Sequence, residues 1–214
     1  MTPMVSNTMS SSHHAAGNSD GDPAGSVYAT LSRYGLLLKQ DKLVPSVVGI
    51  VTGESLRASW WSHPKSHLIF SILSALSDHS QVTLTKLLAG KDTFVHSDLW
   101  PALLSVAGAR DEWQLRGLSA AAADLLERVE RTTSPVRATG AGCKELQVRL
   151  LAPAHEIHTA GGHHETVVER WSAWSARMGC TALASGDEAR RLLEQATTKL
   201  GAPLEWLPWR AALG

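Results

Sequence analysis

The chain has 214 residues, with 20 Lys plus Arg against 20 Asp plus Glu, so its formal charge is zero with histidines neutral and no net field draws it to a polyanion or a membrane. An apolar fraction of 43% suits a globular domain that buries a core without disulfides, and the two cysteines, Cys143 and Cys180, lack a metal-type spacing and fit a reducing cytoplasm. The longest apolar runs, such as residues 68–76, are broken by serine, and no basic segment followed by an apolar core opens the chain, so the expectation is a cytoplasmic protein with no membrane association.

Residues 1–25 are rich in Ser, Asn, Gly and Pro and carry no Lys or Arg, which predicts a disordered tail. VYATLSRYGLLLKQ (27–40) has apolar residues at helical intervals, and VPSVVGIVTGE reads as a short apolar helix ending near Gly53. Pro64 is a good first residue for the next helix, whose expected apolar stripe is Leu68, Ile72, Leu73 and Leu76. QVTLTKLL, AGK and DTFVHS then read as a β-hairpin. Ser97 or Asp98 can cap a helix over LWPALLSVAGA, and Ser119 can cap one over AAAADLLERVERT with Leu125, Leu126 and Val129 inward. Residues 134–142 have linker composition. Beyond them KELQVRLL and HEIHT alternate like strands, Gly161-Gly162 marks a turn, HHETVVERWSAWSARMG reads as an amphipathic helix, and SGDEARRLLEQATTKLG as a second helix with a capping-box pattern at Ser185 and Glu188.

The predicted class is therefore α+β and mostly helical. It comprises a winged-helix-like unit of helices and hairpin over 26–133, a linker, and a small strand-turn-helix part over 143–214 packing on the first. In a winged helix one helix enters the major groove and the hairpin rests on the backbone. Between Arg33 and Lys91 there are seven Lys or Arg against three Asp or Glu, with Lys86 on a wing strand and Lys91 at the hairpin tip. In RASWWSHPKSH, Arg57, Trp60, Trp61 and Lys65 combine indoles with cations, so these six residues are the candidates for phosphate and stacking contacts with nucleic acid, one indole buried and the other partly exposed.

The stretch from SWWSHPKSHLIF to LWPALLSVAGAR resembles uncharacterised bacterial proteins of winged-helix type and is distantly similar to the AlkZ-type DNA glycosylases. The resemblance implies DNA binding, with a link to DNA repair or regulation. It does not extend to catalysis: that family uses a Gln-x-Gln or Gln-x-Asp pair, and neither Gln40, Gln81 nor Gln114 forms one.

Two other classes compete. Glu156, His158 and one of His163 or His164 could converge across the Gly-Gly turn to hold a divalent metal, in a small metal-dependent enzyme for which no catalytic residue is identified. No standard zinc motif matches, and GAGCKE lacks the spacing and ending of a phosphate loop, which disfavours nucleotide cofactors. Alternatively, exposed tryptophans, including Trp206 and Trp209 of the tail LEWLPWRAALG, could recruit a protein partner.

Overall fold

The computed structural model of the chain describes residues 22–56, 58–158 and 164–211. The architecture is α+β, with two small three-stranded antiparallel sheets set among helices. Asp22 caps helix α1 (Pro23–Tyr34) by accepting the Ala24 N–H, so residues 22–25, expected within a disordered tail, form a helix start. Gly35 ends α1 at φ 77°, a left-handed conformation that favours glycine, and turns the chain into strand β1 (Leu36–Leu38). The expected helix over 27–40 is cut short there. Leu36, Leu37 and Leu38 are all buried, so the strand lacks the alternation that identifies a half-exposed one.

Ser46 caps helix α2 (Val47–Thr52), which stops at Gly53 as expected. Helix α3 (Ser66–Ser77) follows a single 3-10 turn at Trp60–Ser62, and strands β2 (Val82–Leu88) and β3 (Lys91–His96) complete the first sheet in the order β1-β3-β2. Pairing of Leu37 with Phe94 and of Leu36 with Val95 sorts the side chains by pleat. Leu37, Phe94 and Val82 pack with Val27, Leu31, Ile69 and Ile72 of α1 and α3. Leu36, Leu38, Leu87 and Val95 belong to a second cluster with helix α4 (Trp100–Gly108) and the C-terminal helices. In α3 the inward stripe is Ile69, Ile72, Leu73 and Leu76; Leu68 lies outside it, because Ile69 is spaced three, four and seven residues from the other three.

The second half departs further from the sequence reading. After the short helix α5 (Glu112–Leu115), helix α6 (Ala120–Arg131) buries Leu125, Leu126 and Val129 as expected. Residues 134–142, expected as a linker, hold strand β4 (Val136–Arg137) and the start of helix α7 (Gly140–Val148). KELQVRLL is thus helical as far as Val148: Gly142, Cys143 and Leu146 are buried on one side of α7, which wins over the alternation of Leu146, Val148 and Leu150. The second sheet, order β4-β6-β5, contains β5 (Ala154–His158) and β6 (His164–Val168). The β-branched run Thr166-Val167-Val168 is therefore strand, and only helix α8 (Trp171–Met178) remains of the longer helix expected there. Helix α9 (Gly186–Leu200) is capped by Ser185, and helix α10 (Pro208–Ala211) closes the described chain.

One glycine of GAGCKE, Gly142, has a packing role. A Cβ on it would sit 3.0 Å from the backbone C and O of Ala121, so this glycine lets α7 approach α6 closely. Gly142→Ala is expected to destabilise by about 1–2 kcal/mol through overpacking, read as a lower urea midpoint at unchanged slope.

Candidate nucleic-acid interface

Trp60 and Trp61 share a 3-10 turn capped by Ser59, which brings their rings onto the same side instead of the opposite sides of an extended segment. The indoles stack with centroids 4.0 Å apart at 25°. Trp60 is 5% exposed and joins the α1–α3 core, whereas Trp61 is 63% exposed. One face of Trp61 is covered by Trp60, so its exposure belongs to the other face and the ring edge. Phe70, 51% exposed, stands 6.0 Å away at 39°, and Leu68 on the same helix is 40% exposed. Phe70 is the residue that the sequence reading missed; its signal was an aromatic one position off the buried stripe.

The electrostatics around this step are mildly positive. Helix α3 begins with no side-chain cap bond at Lys65 and no acid in its first turn, so no carboxylate of its own offsets its positive dipole end, although the Ser66 N–H is taken by the His63 carbonyl at 2.9 Å. No Asp or Glu occurs between residues 55 and 77. Lys65 Nζ donates to the Val51 carbonyl at 3.0 Å, near the end of α2, and keeps two further donors. His63 accepts the Lys65 N–H through Nδ1 and sits 3.5 Å from Glu54, while His67 is exposed. Arg57 lies outside the described residues.

The hairpin cations are placed differently from expectation. Lys86 Nζ lies 2.6 Å from Asp92, which Lys39 also approaches at 3.7 Å. Lys91 Nζ lies 2.7 Å from the buried carboxylate of Asp41 and 4.2 Å from the centroid of the Trp206 ring. The tip does not stand free: Ala89 donates its N–H to Trp206 O at 2.7 Å, and a Cβ on Gly90 would meet Val148 of α7 at 3.3 Å. Lys86 and Lys91 are consequently spent on internal pairs, and the hairpin tip is an internal contact.

The tail tryptophans also turn inward. Trp209 is buried and donates Nε1 to Glu194 at 3.0 Å, with Arg210 forking onto the same carboxylate at 2.8 Å through each of two nitrogens. The Arg210 fork holds the Glu194 carboxyl below its ordinary range. Trp206 is partly buried under Lys91. Neither indole is displayed for a partner.

Of the candidate metal residues, the register places His158 opposite His164 and Glu156 opposite Thr166. His163 and the side chains of His158 and His164 lie outside the described residues. Among the described residues no group of three His, Cys, Asp or Glu is placed to hold an ion. The neighbouring His155 instead faces Glu169 at 3.5 Å, a buried carboxylate that also pairs with Arg177. Burial lowers the proton affinity of His155, only partly offset by Glu169. No helix among the described residues is long and apolar enough to cross a membrane. Comparison with known protein families, curated proteins and solved structures finds no match for the chain.

Proposed function

We propose that residues 23–96 form a winged-helix-like unit and that the protein binds nucleic acid by stacking an unpaired base on the Trp61–Phe70 step, with Lys65, His67 and the start of α3 at the adjoining phosphates. The element order α1-β1-α2-α3-β2-β3 with sheet order β1-β3-β2 supports the first part. The observation that carries the second is an indole 63% exposed, held rigidly against a buried one, in an acid-free segment at an uncapped helix start. A preorganised ring loses little freedom on binding, and base stacking on such a ring contributes about 1–3 kcal/mol per base.

The outward face of α3 carries His67, Leu68, Phe70, Ser71 and Ser74, with none of the Arg, Lys, Asn or Gln that read base edges bidentately. With the hairpin tip packed, recognition rests on base exposure and not on sequence, which fits the repair context implied by the family resemblance. Oligonucleotide titrations followed by fluorescence anisotropy test this. Single strands and duplexes with an unpaired nucleotide should bind more tightly than intact duplex, and Trp61→Ala should lose ~1–3 kcal/mol of affinity while Leu115→Ala, on the distant α5, changes nothing. Because few cations are free, the slope of log K against log salt should be no steeper than about −2. Absence of binding at low salt, or full affinity in Trp61→Ala, would overturn the reading.

A further inference from the structure

A cavity of about 330 Å³ lies between the end of α4, α6, Leu151 and the start of α8. Its apolar wall is formed by Leu126, Val129 and Leu151, and its polar side by Arg110, Glu130 and Arg170. Arg110 and Glu130 form an ion pair and neutralise one another. Arg110 adopts φ 56°, a left-handed conformation uncommon for a residue with a side chain.

Arg170 is the anomaly. It is partly buried, its Nε is enclosed without a hydrogen-bond partner, and no carboxylate among the described residues pairs with its guanidinium. The adjacent Glu169 is engaged elsewhere, by Arg177 and His155. An enclosed guanidinium nitrogen without an acceptor is costly, and proteins rarely keep one. Arg170 is also the N-cap of α8 and makes no side-chain cap bond, and the first two residues of that helix, Trp171 and Ser172, line the same cavity. A positive charge without a carboxylate partner and the positive end of α8 thus meet an apolar wall in a volume suited to a small organic molecule.

From this we infer that the cavity is a binding site for a small organic anion, an oxyanion group of carboxylate or phosphate-monoester type on Arg170 with an apolar body against Leu126, Val129 and Leu151. The site is separate from the Trp61 step and does not depend on nucleic-acid binding.

The test is calorimetric titration of the full chain with benzoate and with phenyl phosphate at ionic strength held constant with sodium chloride. One saturable site is expected for at least one probe, and the tighter of the two assigns the oxyanion. Arg170→Gln should weaken binding at least tenfold without unfolding the free protein, since it breaks no ion pair. Glu130→Gln should tighten binding severalfold by removing the one negative charge lining the cavity, a gain that a purely structural role would not produce. If Arg170→Gln fails to fold by circular dichroism, Arg170→Lys replaces it, and partial weakening is expected from loss of the planar fork. The inference is overturned if neither probe saturates below about 10 mM, if Arg170→Gln or its Lys substitute binds as the natural chain does, or if Glu130→Gln binds no tighter.

Discussion

Trp100→Ala is expected to lose about 3–5 kcal/mol of stability, enough to bring a domain of ordinary stability close to unfolding at room temperature. The indole is buried where α4 begins and packs edge-on against Trp174 with centroids 5.1 Å apart, joining the first sheet to α8. Its Nε1 donates to Val95 O at 3.2 Å, so truncation both opens a cavity and removes a buried hydrogen bond. Trp100→Phe keeps much of the volume and loses only the donor and one ring, so its cost should be smaller. Urea unfolding followed by circular dichroism gives both values, and equal losses in the two variants would argue against the cavity as the main cause.

Asp41→Ala should cost ~2 kcal/mol, and the cost should depend on pH. The Asp41 Oδ1 accepts the N–H of Leu43 at 2.8 Å and of Val44 at 3.4 Å, closing the loop after β1, while Oδ2 receives Lys91. Lys91 is 44% exposed and regains water when its partner goes, so the main loss is the pair of loop N–H groups. Burial alone would raise the Asp41 pKa, but the Lys91 hydrogen bond and the two backbone donors outweigh it and hold the carboxyl below its ordinary value. A carboxylate whose pKa is lower folded than unfolded contributes stability fully above the unfolded value, near about 3.9, and loses it as pH falls through the folded value. The gap between the natural chain and Asp41→Asn in thermal melts should therefore be constant near neutrality and narrow as the pH drops below about 4. Glu145, through the Ser119 hydroxyl, and Glu194, through Arg210, are shifted the same way, so Asp41→Asn keeps part of the acid sensitivity. A gap that is flat down to the acid transition would refute the role given to Asp41.

Elements with one wet face and a capping residue were legible in the sequence. Helices α6 and α9 carry Ser119 and Ser185 at their caps and present one apolar stripe each, and the hairpin carries Ala89-Gly90 between two β-rich runs. Elements whose burial or neighbours override local pattern were not. β1 is buried on both faces and reads as a continuation of α1 until Gly35 is recognised as its C-cap. α7 alternates over Leu146, Val148 and Leu150 in the sequence yet packs as a helix through Cys143 and Leu146, because its contact is with α6 through Gly142. In the candidate interface, the lead-in to α3 and its two tryptophans stood out as residue types. The fate of the cations did not, because Lys91 is neutralised by an aspartate 50 positions earlier and covered by a tryptophan 115 positions later, and no local window contains either. Arg170 was equally hidden: an arginine after a glutamate looks paired, until the register turns Glu169 toward His155 and Arg177.

The closure of the hairpin tip by Trp206 and Val148 bears on how the chain is made. During vectorial synthesis the first sheet can pair as soon as β3 leaves the ribosome, but its second face, lined by Leu36, Leu38, Leu87 and Val95, is covered only in part by α4 until α9 is made, starting 90 residues after His96. Until then the paired sheet keeps part of its apolar side uncovered. Helix α9 thus acts as a clasp, the late element whose arrival covers the apolar side that the nascent sheet leaves open.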